Sequence, residues 1–239
     1  MLSKSQIKFI TRLKQKKYRV QEGLFIAEGL KTVNELLESS LELHHVFSTN
    51  SFNSYAEKQT IISEAELKKI SSLKAPNTVL AVFKIPEPKP ILNTGLIVAL
   101  DAVRDPGNLG TIIRLCDWFG VKELVCSEAT VECYNSKVIQ ATMGSITRVN
   151  VTYTDLETFL KETNVPVFGA YMDGENVYTS VLPKKGILVM GNEANGISEA
   201  IEKRITQRIA IPRFGDVQAT ESLNVATATA ILLSEFKRG

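Results

Sequence analysis

The chain has 239 residues, a length that suits one large domain or two modest ones. Hydrophobic residues make up 44 % and charged residues 23 %, ordinary for a globular protein that builds its core without disulfide or metal staples. The formal net charge of +2 names no anionic partner, and no apolar run approaches the ~20 residues of a membrane span.

Other residue types narrow the field further. The only histidines are the adjacent pair His44 and His45, which argues against a multi-histidine metal site. Cys116, Cys126 and Cys133 match no zinc or redox spacing, and their odd number fits a reducing compartment. The start of the chain carries charge but no apolar h-region, so the expected location is cytoplasmic, with no metal and no membrane partner.

Residues 1–19 hold seven basic side chains (Lys4, Lys8, Arg12, Lys14, Lys16, Lys17, Arg19) and no acidic one. Such a run either pairs with phosphates or forms a solvated helix face. Ile7, Ile10 and Leu13 have helical spacing and predict one helix over 4–18. Phe25-Ile26-Ala27 reads as a strand, and Glu28-Gly29 turns into a helix carrying Leu30, Val33, Leu36 and Leu37. Val46-Phe47 lies in the next strand. Ser63 and Glu66 have capping-box spacing before Leu67 and Ile70, and 78–83 is a β-branched strand. Residues 1–85 thus form a small α/β domain. Pro86, Pro88 and Pro90 alternate in an extended linker, 86–95.

From Leu96 onward strands alternate with helices. Strands are expected at 96–103, 123–127, 147–153, 165–171, 187–190 and 208–211. Helices are expected at 108–119, 135–142, after a Thr154/Glu157 capping box, and at 222–237. The alternation predicts a mostly parallel sheet with helices on both faces over 96–239. In the last helix Leu223, Ala226, Ala230 and Leu233 form one apolar stripe, and Val225, Thr229, Leu232 and Phe236 form another. Both faces are therefore expected to be covered, by the sheet and either the chain's own core or a second subunit.

Three loops fall at strand ends, where open parallel sheets bind ligands. They are 104–110 (Arg104-Asp105-Pro106-Gly107-Asn108-Leu109-Gly110), 191–196 (Gly191-Asn192-Glu193-Ala194-Asn195-Gly196) and 212–222. None is a dinucleotide fingerprint or a P-loop. Each alone is also a plausible connecting turn, whereas three at one sheet edge point to a site. Asn108 reads as a helix N-cap, and Arg114 follows six residues later, either a surface charge or a side chain leaning back toward the loop mouth. Ser222 and Asn224 open the last helix as caps, a role that coexists with ligand contact.

At these residues the chain resembles the SpoU family of RNA ribose methyltransferases, within the knotted SPOUT superfamily. The resemblance covers 96–239 and three motifs in order. The first runs from Asp101 through Asn108-Leu109-Gly110 to Arg114 and Phe119-Gly120. The second is Val189-Met190-Gly191-Asn192-Glu193-Ala194-Asn195-Gly196-Ile197. The third is Ile209-Ala210-Ile211-Pro212 followed by Ser222-Leu223-Asn224-Val225-Ala226. Residues 1–85 are more loosely similar to the family's RNA-binding N-terminal domain, chiefly through Phe25-Ile26-Ala27-Glu28-Gly29.

The resemblance implies a deep C-terminal trefoil knot, a homodimer with the active site near the subunit interface, and S-adenosylmethionine as cofactor. It implies that Gly191, Ile211 and Leu223, with Met190 and Asn192, hold the cofactor's adenosine part. It implies Arg114 as the catalytic residue, supported by Asn108, Glu193, Ser222 and Asn224. A guanidinium stays protonated, with a pKa above about 12, so Arg114 suits a donor to phosphate and developing alkoxide better than a base. The segment 215–221 is longer than in many relatives. The basic residues Lys4, Lys8, Arg12, Lys16, Lys17 and Arg19 are the expected RNA contacts. The expected substrate is ribosomal RNA. Transfer RNA, and a non-catalytic RNA-binding protein on the same scaffold, are the alternatives; the missing glycine fingerprint counts against a nicotinamide enzyme.

Overall fold

The structure is a computed structural model; it describes residues 1–76, 78–215 and 222–238. The longer segment noted in the sequence falls, from 216 to 221, outside the described residues. The chain divides into two compact units. One comprises Met1–Pro88 together with Glu132–Thr147, the other Lys89–Val131 together with Arg148–Gly239.

In the first unit, α1 (Lys4–Arg12) opens on a capping box in which Ser3 and Gln6 exchange hydrogen bonds. The predicted single helix over 4–18 is two helices, α2 being Lys16–Glu22. Gln15 is extended between them. The break has a physical cause: the Arg19 guanidinium takes the carbonyls of Leu13 and Lys14 at 2.9 Å each, acceptors that a continuing helix would occupy. Gly23, at φ 64°, ends α2 in the left-handed conformation. There follow β1 (Leu24–Glu28), α3 (Leu30–Leu37), β2 (Leu43–Ser48), a 3-10 turn at Asn53–Lys58, β3 (Gln59–Ile61), α4 (Glu64–Ile70) and β4 (Val79–Lys84). The sequence pattern missed the 3-10 turn and β3, which are short and lack a hydrophobic period. The sheet order is β1-β4-β2-β3, with β4 antiparallel to both its neighbours and β2 parallel to β3. Ile10, Leu13, Ile26, Ile70 and Leu80 anchor its core.

The second unit begins with β5 (Leu96–Leu100), α5 (Pro106–Trp118) and β6 (Glu123–Ser127). The next helix, α6 (Ser136–Thr142), packs on β1 and so belongs to the first unit. The contiguous 96–239 domain read from the sequence is therefore interrupted. Two contacts explain the placement. Tyr134 packs its ring on Phe25 at 4.8 Å between centroids, and Glu132 pairs with Arg19. Then come β7 (Asn150–Thr154), α7 (Leu156–Lys161), β8 (Val167–Asn176), β9 (Gly186–Met190), α8 (Glu199–Glu202), β10 (Gln207–Ala210) and α9 (Val225–Lys237). The six strands are all parallel, in the order β10-β8-β9-β5-β6-β7.

Side chains alternate across each strand, so the sheet buries both faces. Ile97, Ala99, Val125, Ile187 and Val189 meet Leu156 and Leu160 of α7 and Ile201 of α8. On the other face Phe168 meets Phe236 of α9 edge-on, at 5.2 Å, and α9 packs on α5. Val225, Thr229, Leu232 and Phe236 are all buried, as are Ala226 and Leu233 of the other stripe. The two-faced last helix is thus largely covered within one chain, and of the two stripes only Leu223, just before the helix, is exposed.

Three boundaries differ from expectation for local reasons. The first strand stops at Leu100 because Ala102 takes a left-handed φ of 57°. Asp105, not Asn108, caps α5, with Pro106 pre-set at its first position. Asp155, not Thr154, caps α7. In β8, residues 167–169 pair with β9, whereas Glu175 and Asn176 face Ile209 and Ala210 across a register shift. Gly174 permits that approach, since a Cβ there would lie 2.5 Å from the carbonyl carbon of Ile209. The three cysteines are free and buried, and burial pushes the Cys116 thiol up to about 12. Among the described residues no helix is long and apolar enough to cross a membrane.

The Arg19–Glu132 pair ties a distant segment to the first unit at a nearly fully buried guanidinium. Removing one partner strands the other charge. Glu132→Ala is expected to lower unfolding stability by about 3 kcal/mol, measured by urea denaturation; a loss within error would show that the pair is dispensable.

Candidate active site

The three loops identified in the sequence leave the carboxyl ends of β5, β9 and β10; those after β9 and β10 line a cavity of about 690 Å³, and the one after β5 is hydrogen-bonded to them without reaching its wall. Its wall includes Met190, Gly191, Asn192, Glu193, Ile211, Ser222, Leu223 and Asn224. All five residues expected to hold the cofactor are on this wall, as are three of the five expected catalytic residues.

A hydrogen-bonded chain joins the loops. Glu193 accepts from the Asn108 side-chain amide at 3.0 Å and from the backbone N–H groups of Arg104 and Asp105 at 3.4 Å each. The Asn108 side-chain oxygen in turn accepts from the Asn224 amide at 2.9 Å. The Asn224 oxygen accepts from the N–H groups of Ala226 and Thr227 and so caps α9. Asn108 thus leaves the capping of α5 to Asp105, which accepts from its backbone N–H at 2.8 Å, and spends its side chain between two loops. Burial raises the Glu193 carboxyl, but the bonds from Asn108, Arg104 and Asp105 outweigh it and hold its pKa below the ordinary value.

The 191–196 loop is closed by its own bonds. Asn192 and Gly196 exchange two backbone hydrogen bonds at 2.9 Å, and the Asn192 amide donates to the Ala102 carbonyl at 2.6 Å. A Cβ on Gly191 would fall 2.3 Å from the Gly196 carbonyl carbon, so only glycine lets the loop fold back here. On the remaining wall the sequence reading missed Ala170, Tyr171 and Met172. They lie in β8 where its pairing with β10 shifts register, and no motif marks it. The Tyr171 hydroxyl is buried with no hydrogen-bond partner among the described residues, while Arg208 stacks over its ring at 3.8 Å.

Arg114 stands apart. It is exposed on α5, is not on the cavity wall, and has no hydrogen-bond or ion-pair partner among the described residues. Six residues of helix turn it well away from the face of Asn108, and neither Asn108 nor Glu193 bonds to it; both support the loops instead. The basic run divides too. Lys4, Lys8, Lys16 and Lys17 are exposed. Arg12 is paired with Glu22 at 2.6 Å and lies over the rings of Phe9 and Tyr18. Arg19 is buried, which removes it from the expected RNA contacts. No cluster of three or more metal-ligating side chains occurs among the described residues.

The profile of the SpoU rRNA methylase family matches residues 95–234, which hold all three loops. The chain belongs to this family. A second profile, that of the MRM3-like substrate binding domain, matches residues 4–81. Among the SpoU relatives, a Bacillus subtilis protein named 23S rRNA (guanosine(2553)-2'-O)-methyltransferase RlmP is 28% identical over 97% of this chain and 96% of its own length. A TrmH-family protein from Porphyromonas gingivalis has a solved structure that superimposes with a TM-score of 0.89, at 37% identity, over 100% of this chain and 99% of that one. The AdoMet-bound rRNA methyltransferase from Sinorhizobium meliloti gives a TM-score of 0.89 at 30% identity, covering 100% of this chain and 97% of that one.

The cavity suits the SpoU family's cofactor. Its volume is within the range of small-molecule sites, about 300–1,000 Å³. Met190, Ile209, Ile211, Leu223 and Val225 offer an apolar slot for an adenine ring, and the unpartnered Tyr171 hydroxyl is a polar group awaiting a ligand.

Glu193 carries a pH signature. Its folded pKa is lowered, so its contribution is complete above the unfolded value of 4.5 and is lost as pH falls through the folded value. Glu193→Gln is expected to destabilise by about 1 kcal/mol at pH 7, with the gap to wild type closing below pH 4.5; urea midpoints across pH measure it, and a pH-independent gap would contradict the assignment.

Proposed function

We propose that this chain transfers a methyl group from S-adenosylmethionine to a ribose 2′-hydroxyl of ribosomal RNA, acting in the cytoplasm. The observation that carries the reading is that two of the three SpoU loops line one cavity and the third is locked to them through Glu193, Asn108 and Asn224. The names of the relatives favour ribosomal over transfer RNA.

Bound in the cavity, S-adenosylmethionine supplies an electrophilic methyl group on a sulfonium. Gly191, Ile211 and Leu223, with Met190 and Asn192, hold its adenosine part. Asn108, Glu193 and Asn224 keep the loops in register, and Ser222 borders the space that the ribose enters. Arg114 supplies a permanent positive charge that positions RNA phosphate and stabilises the oxygen as its proton passes to solvent water. Because Arg114 is exposed and off its own cavity wall, it reaches the reacting oxygen only once other components assemble around α5. This supports the homodimer that the family resemblance implies. The C-terminal trefoil knot belongs to the same proposal.

Residues 1–85 and the exposed Lys4, Lys8, Lys16 and Lys17 hold the RNA. Replacing all four by Gln is expected to flatten the dependence of log affinity on log salt by as much as about 3, measured by filter binding. An unchanged slope would exclude them.

The direct test incubates purified protein and labelled S-adenosylmethionine with unmodified 23S and transfer RNAs, then digests to nucleosides. Label is expected in a 2′-O-methyl nucleoside from 23S RNA; label in transfer RNA alone would overturn the substrate, and label on a base the reaction. Arg114→Ala is expected to lower kcat about 10²- to 10³-fold with cofactor affinity unchanged; full turnover with normal RNA binding would refute its role.

A further inference from the structure

We propose that Phe214 is a stacking platform for an unpaired base of the RNA substrate, at the rim of the cofactor cavity. Phe214 is 82 % exposed, so its ring face is open to a partner. It follows Pro212 and Arg213, both on the cavity wall, so it stands where the chain leaves that wall. It does not line the cavity itself, which separates it from the cofactor contacts.

The ring has a backing. Tyr178 lies beside it, with centroids 6.4 Å apart and planes 31° from parallel. Tyr178 is itself anchored, since its N–H donates to the Asn176 side chain at 3.0 Å. The preceding Val177 N–H donates to the Ala210 carbonyl at 2.9 Å. Both aromatic residues therefore spring from the paired ends of β8 and β10, only a few residues from rigid sheet. A supported, exposed aromatic next to a cation is the combination that holds single-stranded RNA: a π-face takes a base, and the cation favours the adjoining phosphate. A ribose that approaches the cavity brings its neighbouring bases to this rim. Stacking one of them fixes the position of the target nucleotide without reading its edge. Phe214 is thus a positioning residue, and the assignment rests on the reading of the cavity as the methyl-transfer site.

The test compares full-length wild type with Phe214→Ala and Phe214→Trp. Binding of unmodified 23S RNA transcribed in vitro is followed by filter retention, methyl transfer by KM and kcat, cofactor affinity by calorimetry, and oligomeric state by light scattering. Phe214→Ala is expected to weaken RNA binding and raise KM by about five- to a hundredfold, with cofactor affinity unchanged. Phe214→Trp is expected to restore both, because an indole stacks as well. Wild-type RNA affinity and KM in Phe214→Ala would overturn the proposal. So would a parallel loss of cofactor affinity, or an altered oligomeric state with RNA affinity intact, which would make Phe214 a contact between copies. If wild type binds the RNA and does not methylate it, the methyl-transfer reading fails while the binding comparison still decides the platform. If wild type binds no RNA, both fail.

Discussion

The site depends on a short chain of hydrogen bonds that runs from Glu193 through Asn108 to Asn224 and ends on the first amides of α9. An ionised carboxylate only accepts, so the Asn108 amide must present its NH2 to Glu193. Its oxygen then faces Asn224, whose own NH2 is committed to it and whose oxygen is left for the helix cap. Each group settles the orientation of the next. Loops from β5 and β9 and the start of α9, far apart in sequence, are held in one arrangement by groups of matching polarity. The β9 loop and the residues that open α9 form part of the cavity wall, and the β5 loop braces them without lining it.

This arrangement separates support from chemistry. Asn108, Glu193 and Asn224 spend their polar atoms on one another, as suits residues that hold a binding surface in place. Arg114 spends none of its donors within the described residues and faces solvent. A cation is thus kept available on α5, outside the cavity wall. The same division runs through the N-terminal unit. Arg19 is consumed by two carbonyls and Glu132, and Arg12 by Glu22 and two rings, while four lysines remain at the surface. Arginine, with five donors in a fixed fork, suits the buried role; lysine, compact and strongly hydrated, stays outside.

Much of this protein was legible in its sequence. The alternation of apolar runs and helical periods determined the parallel sheet, and the glycine- and asparagine-rich loops at strand ends determined where the cavity lies. Those signals are local: burial on two faces demands continuous apolar strands, and a backbone that folds back on itself at Gly191 demands glycine. Tertiary structure alone decided the rest. Nothing within 132–147 says that it packs on β1, because its partners, Arg19 and Phe25, are more than a hundred residues away. Nothing near Asn108 says that its side chain bridges loops while Asp105 caps the helix, and nothing near Tyr171 brings it to the cavity. Hydrogen-bond partners and register shifts are properties of pairs of segments, and one segment's sequence carries only half of each pair.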